Sequence, residues 1–310
     1  MNKRLTILGS VNVDHVLQTS YFLKPGETLK AHSYKTVYGG KGANQAVAAA
    51  RIKSPTLDVH FLGCVGNDNF GRPIKSALRN EGLNVDHLEV LPDTATGVAF
   101  IQVSKTGENS IVIAGGANDC VDEKYLTAHR DPLLNTDCLL MQLETPLSTI
   151  LAAAKLAKTR QTLVVLNPAP AYELPLELYQ YIDIITPNET EAEILTGIQV
   201  TDMASAQQAA DILHQRGVKC VLITLGKKGV YFSRNGEQAL ITGFRVEAVD
   251  TTAAGDTFNA GFLVALLEDQ LIPDAIRFGQ AAAAISVTRF GAQPSIPKRE
   301  EVISFLSNQA

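Results

Sequence analysis

At 310 residues and 45% hydrophobic composition the chain can bury a large core, longer than a usual single domain but short of two, so one α/β domain with an appendage fits. Its 27 basic and 32 acidic residues leave a net charge of -5 with no long block of either sign, which excludes electrostatic attraction to nucleic acid or an anionic membrane and favours a small-molecule partner. Cys64, Cys120, Cys138 and Cys220 lie 56, 18 and 82 residues apart, which excludes zinc, redox and disulfide patterns, and no apolar run reaches about 18 residues, so reduced core cysteines and a cytoplasmic protein are expected.

Leu5 to Gly9 is a short apolar run ending in Gly9-Ser10, the form of a buried first strand opening into a loop. Asn12 and Asp14 follow at once, where they serve either as turn residues or as contacts to a substrate hydroxyl beyond a strand's carboxyl end. From about 12 to 38, around Lys24-Pro25-Gly26-Glu27-Thr28, the chain leaves the main sheet in a β-prone excursion. A second, 96–114, carries a hairpin signal at Lys105-Thr106-Gly107-Glu108. Together they predict a small β lid that excludes water from the site and offers a dimer surface.

Gly39-Gly40-Lys41-Gly42-Ala43-Asn44-Gln45 leads into a helix expected over Ala46 to Arg51. Its glycines permit close backbone approach to a ligand, although a helix-capping loop reads the same way, and neither a P-loop nor a dinucleotide fingerprint is present. Strand-like runs follow at His60 to Cys64, Cys138 to Gln142, Thr162 to Asn167, Ile182 to Thr186 and Cys220 to Leu225. They alternate with helical patterns at Pro73 to Glu81, Pro146 to Lys158, Glu189 to Leu195 and Ala204 to Arg216. This alternation predicts a doubly wound, mostly parallel sheet with helices on both faces. Glu144, Asn167, Asn188 and Thr224 close successive strands and form a polar row along one sheet edge. A hairpin is expected at Gly229 to Ser233 and Gln238 to Thr242 around Asn235-Gly236, and a small-residue helix over Pro273 to Arg289. The histidines show no metal-ligand spacing, and Asp183, Glu173 and Glu177 read as solvated loop charges.

Val249-Asp250-Thr251-Thr252-Ala253-Ala254-Gly255-Asp256-Thr257-Phe258 runs from a β-branched approach through small residues into an apolar helix. The amides opening a helix lack intrahelical partners and face the positive end of its dipole, so this stretch can hold a phosphoryl group. Asp256, in the first turn, either complements the dipole or acts as a base.

Gly39-Gly40-Lys41-Gly42-Ala43-Asn44 and Asp250 to Phe258 resemble the two signatures of the ribokinase-like (phosphofructokinase-B-type) carbohydrate kinases, and Asn188-Glu189-Thr190-Glu191 resembles that family's Asn-x-x-Glu motif. The resemblance spans essentially the whole chain and implies ATP-dependent phosphorylation of D-ribose at O5. Related sugar or nucleoside kinases, and a non-catalytic sugar-binding regulator, are the alternatives.

By this resemblance Asp14, Gly40, Lys41, Asn44 and Glu144 bind sugar hydroxyls, with Asn12 beside them. Asp256 is the base, and the amides of Ala253, Ala254 and Gly255 form the anion hole. Asn188, Thr224, Leu225, Gly226, Lys227, Lys228 and Gly229 meet the nucleotide, and Glu191 places magnesium through water. Gln280 stands where some members have a histidine near adenine, and Ala253 stands where many have glycine. The resemblance further implies a potassium site at Asp250, Thr252, Ser286, Arg289, Gly291 and Ser295, mostly through carbonyls, and a homodimer through the lid.

Overall fold

The computed structural model describes residues 2–309. Its strands, in chain order, are β1 (Lys3–Leu8), β2 (Asn12–Gln18), β3 (Ser33–Gly39), β4 (Leu57–Gly66), β5 (Leu88–Leu91), β6 (Gly97–Val103), β7 (Asn109–Ala114), β8 (Cys138–Met141), β9 (Leu163–Leu166), β10 (Ile184–Ile185), β11 (Cys220–Thr224), β12 (Gly229–Arg234) and β13 (Glu237–Thr242). The helices are α1 (Lys41–Ile52), α2 (Gly71–Asn80), α3 (Glu123–Ala128), α4 (Arg130–Leu134), α5 (Leu147–Lys158), α6 (Leu176–Tyr179), α7 (Glu189–Thr196), α8 (Met203–Gln215), α9 (Ala254–Leu267), α10 (Ile272–Ser286) and α11 (Arg299–Ser307).

Strands that are apolar on both faces need cover on both, and this chain supplies it. The main sheet has nine strands in the order β13-β12-β11-β10-β9-β8-β1-β4-β5, parallel except for the closing hairpin β12 and β13. Central pairing is tight in register: Ile7 stands beside Phe61 of β4 and Leu140 of β8. Alternate side chains go to opposite faces. Leu5, Ile7 and Leu222 join a core with α1, α2, α9, α10 and α11, while Leu8, Val221 and Ile223 join one with α3, α5, α7 and α8. The doubly wound expectation therefore holds. Helix α9 lies between α1 and α10 and is buried on nearly every side, which is why its sequence lacks a polar stripe.

The two β excursions pair into a separate four-stranded sheet, β3-β2-β6-β7, in which β2 and β6 run parallel. Asn12 and Asp14 thus lie on a strand of this sheet rather than in a turn, and their spacing puts both side chains on one face. The opposite side is exposed and apolar at Phe100 and Val112, which pair across β6 and β7, whereas the exposed Ile111 and Ile113 share the face of Asp14.

Several boundaries differ from expectation. Helix α1 begins at Lys41, not Ala46, because residues distant in sequence satisfy its first amides. The strand expected over Ile182 to Thr186 pairs only at Ile184–Ile185, and α10 stops at Ser286. Short elements β5, α3, α4, α6 and α11 carry too little periodicity to be read, although Asp122, accepting from the amides of Lys124 and Tyr125, is a legible cap for α3.

Asp183 is a correction. It is not a solvated loop charge but 7% exposed, accepting from the amide of Val164 at 2.8 Å and Lys219 Nζ at 2.9 Å and pairing also with Lys158. Burial works to raise its pKa, but these donors outweigh it and hold the carboxyl below its ordinary range. It joins β9 to β11 across the short β10.

Candidate active site

In open α/β sheets a crevice forms at the carboxyl ends of strands where the winding reverses. Here that point is β1, which has β4 on one side and β8 on the other. The loop leaving β1 carries Ser10, the segment leaving β8 carries Glu144, and helix α1 starts between them.

The start of α1 is consumed by this meeting. Glu144 Oε2 accepts from the Ser10 hydroxyl at 2.5 Å and from the Lys41 amide at 2.9 Å. The Gly42 amide reaches Ser10 Oγ at 3.3 Å, and the Ala43 amide reaches the Ser10 carbonyl at 2.9 Å. Such closeness requires glycine: Gly40 has φ +90°, and a Cβ on Gly42 would lie 2.5 Å from the Ser10 nitrogen. The glycine cluster therefore caps a helix and at the same time lets Lys41 and Asn44 meet the crevice.

The start of α9 is the reverse. Ala253 caps it in the left-handed region at φ 60° and ψ 13°, and the Ala254 amide turns back to the Thr251 carbonyl at 3.2 Å. The amides of Ala253, Gly255 and Asp256 have no partner among the described residues. Of the expected trio, Ala253 and Gly255 thus keep open amides and that of Ala254 turns back on Thr251, while the Asp256 amide is open as well. A Cβ on Gly255 would meet open space. A cavity of about 200 Å³ lies against this turn, lined also by Lys41, Asn188, Glu191 and Thr224.

Asp256 is 8% exposed, and both of its oxygens accept hydrogen bonds from α1: Oδ1 from Gln45 Nε2 at 2.9 Å and Oδ2 from Asn44 Nδ2 at 3.1 Å. Asn44 Oδ1 is buried with no partner among the described residues and remains an acceptor for a ligand. Burial raises the pKa of Asp256, while Lys41 and these two amides work to lower it. Burial and the neighbouring carboxylates of Glu144 and Asp256 push Asp14 up to about 7. Burial would lower the pKa of Lys41, but Asp256, Glu144, Glu191 and Asp14 outweigh it, so the lysine stays charged.

Asn118, which no sequence pattern singles out, orders the loop between β1 and β2. It is 1% exposed, donates to Asn12 Oδ1 at 2.8 Å and to the Val11 carbonyl at 3.1 Å, and accepts from the Val11 amide at 2.8 Å. With Oδ1 of Asn12 taken, its Nδ2 is the group left for a ligand. A second cavity of about 320 Å³ opens there, lined by Asn12, Glu144 and Ile113.

The remaining expected residues divide. Asn188 and Glu191 form a capping box on α7, with Glu191 Oε2 on the Asn188 amide at 2.9 Å and Asn188 Oδ1 on the Glu191 amide at 2.8 Å. Thr224 ends β11 at the cavity, whereas Leu225 to Gly229 form a turn outside its lining. Gln280 is not brought to either cavity; its Nε2 donates to the Ile241 carbonyl at 2.8 Å.

Around Asp250, the Thr252 amide and hydroxyl reach Oδ1 at 2.9 and 2.6 Å, and the Gly291 amide reaches Oδ2 at 2.8 Å. These donors overcome burial and lower its pKa. The Ser286 carbonyl already accepts from the Arg289 amide at 3.0 Å. The carbonyls of Thr252, Gly291 and Ser295 accept no hydrogen bond among the described residues, although Ser295 is fully buried. Unpaired carbonyls, that of the buried Ser295 among them, together with one carboxylate are a donor set that fits a large, weakly hydrated cation. No group of three His, Cys, Asp or Glu among the described residues could hold a metal ion.

The model of the pfkB family carbohydrate kinases matches residues 2–299. A ribokinase of Haemophilus influenzae is 55% identical over 99% of this chain and 100% of its own length. The crystal structure of a Thermotoga maritima ribokinase superposes with a TM-score of 0.90 at 42% identity, covering 99% of this chain and 100% of that one. An Arabidopsis thaliana ribokinase complexed with ribose and ATP also gives 0.90, at 35% identity over 99% of each chain. A buried carboxylate beside an open helix start, met by a matching family model along nearly the full sequence, settles the family: the chain belongs to the pfkB carbohydrate kinases.

Proposed function

We propose that the protein transfers the γ-phosphoryl group of ATP to O5 of D-ribose, giving D-ribose 5-phosphate and ADP. The observation that carries this reading is the buried Asp256 carboxylate on the same helical turn as the open amides of Ala253, Gly255 and Asp256. The choice of sugar and nucleotide is supported by the similarity to the Haemophilus ribokinase and to the Arabidopsis complex.

In the proposed reaction the bond from O5 to the γ-phosphorus forms as the bond from that phosphorus to the β,γ-bridging oxygen breaks, leaving its electron pair on ADP. The O5 proton passes to Asp256. The open amides hold the transferring oxygens, and catalysis is chiefly positioning and electrostatics. Asn12, Asp14, Gly40, Lys41, Asn44 and Glu144 would hold the sugar; Asp14, near half-protonated at neutral pH, can both donate to and accept from a diol. Asn188 and Thr224 to Gly229 would meet the nucleotide. Four carboxylates, Asp14, Glu144, Glu191 and Asp256, act on the single cation of Lys41. A triphosphate entering that field needs a divalent cation, and Glu191 would help to place magnesium through water.

Wild-type protein should show its highest kcat/KM with ribose among ribose, deoxyribose, fructose and adenosine, and Asp256→Asn should lower kcat by about 10² or more with ribose binding kept. Preference for another acceptor would overturn the substrate, and near-normal turnover of the variant would overturn the base. Gly255→Ala should separate stability from activity. With no protein atom in its way the methyl should gain about 0.5 kcal/mol of helix stability, visible as a higher Tm, while crowding the phosphoryl oxygens and lowering kcat. Unchanged kcat would argue against an anion hole here.

Asp250, with the carbonyls of Thr252, Ser286, Arg289, Gly291 and Ser295, would hold potassium, which supplies positive charge beside the anion hole. Turnover should then be higher in potassium than in sodium at equal ionic strength; equal rates would remove this site. The four-stranded sheet would close over the strand ends as a lid, and its exposed Phe100 and Val112, on the face away from Asp14, would meet a second copy. Light scattering should report a dimer that Val112→Asp weakens, and a wild-type monomer would count against it.

A further inference from the structure

Gln45 is fully buried, and its amide has no freedom of orientation. Asn167 donates its Nδ2 to the Thr186 carbonyl at 3.3 Å, so its Oδ1 is the atom facing Gln45 and accepts from Gln45 Nε2 at 2.9 Å. On the other side Gln142 Nε2 donates to Gln45 Oε1. Both protons of Gln45 Nε2 are thereby committed, one to Asn167 and the other to Asp256 Oδ1 at 2.9 Å. A flipped amide would set its oxygen against two acceptors and its NH2 against that of Gln142. Donation therefore runs one way from Gln142 to Gln45 and divides there, one branch passing through Asn167 to the Thr186 carbonyl and the other ending on the Asp256 carboxylate.

From this geometry we infer that Gln45 is a positioning residue for Asp256, resting on the reading of Asp256 as the base: it fixes the carboxylate's rotation and sustains its anionic form at neutral pH. A donor to the ionised carboxyl favours that form without adding a cation beside the reacting phosphate. Gln142, behind Gln45, holds the amide in its donating orientation. Its own Oε1 is buried with no partner among the described residues, a cost that Gln142 bears while keeping its NH2 directed at Gln45.

Gln45→Met keeps the volume and removes the donor. Without it the ionised form of Asp256 loses support, so its pKa rises and the acid limb of the kcat–pH profile moves upward. The expected shift is about one pH unit, with kcat at neutral pH lowered about tenfold and KM for ribose changed less than about threefold. Gln45→Glu, which sets a second carboxyl against Asp256, should move the limb further in the same direction. Gln142→Met, which leaves Gln45 in place but unpins it, should give a smaller upward shift and serves if Gln45→Met fails to fold. A folded variant whose kcat falls while the limb stays in place shows a packing role only and overturns the inference, as does unchanged turnover. Asp256→Asn in parallel separates the two readings: normal turnover in that variant defeats the base itself, whereas its inactivity with an unmoved limb in the Gln45 and Gln142 variants defeats only the positioning role.

Discussion

The site depends on how helix α1 begins. A helix start leaves N–H groups without intrahelical partners, and here the Ser10 side chain and carbonyl and the Glu144 carboxylate take up those of Lys41, Gly42 and Ala43. Because Ser10 leaves β1 and Glu144 leaves β8, this contact locks α1 to the point where the sheet changes winding direction. Asn44 and Gln45, in the next turn, are then delivered to Asp256 by a rigid element. Helix α9 is the counterpart whose first amides stay open, so one helix start builds the scaffold and the other faces the cavity.

The electrostatics follow from that arrangement. Bringing Asp14, Glu144, Glu191 and Asp256 around Lys41 in a buried crevice is costly, and the cost appears as raised pKa values at Asp14, Glu191 and Asp256. The ionised form of Asp256 is supported by the Lys41 ammonium and by the neutral amide donors of Gln45 and Asn44. The two amides stabilise an anion without neutralising it, which suits the proposed base role.

The small sheet belongs to the site through its own residues. Strand β2 carries Asn12 and Asp14 on one face, and Asn118, from the turn after β7, fixes the Asn12 amide. The sheet and the loop leaving β1 are thereby tied into one unit beside the cavity.

Much of this was legible from the chain. Alternating apolar runs specified the doubly wound sheet because buried parallel strands need apolar residues on both faces, and small residues at a helix start marked a place able to hold a phosphoryl group because end amides are unpaired, with Asp256 open between dipole complement and base. The sequence also marked Asp250 and Asp256, six residues apart, as separate groups. It could not show that Ala254 is engaged while Asp256 offers its own amide, that Gln280 turns to Ile241, that Asp183 is buried between lysines, or that Asn118 and Gln45 serve the site. Local pattern determined the elements and the helix start, because dihedral preference and burial period act over a few residues. Only the tertiary structure decided which amide meets which carboxylate, because those hydrogen bonds join residues over a hundred positions apart, such as Gln45 and Asn167 or Gln45 and Asp256, whose approach depends on sheet order rather than on sequence neighbours.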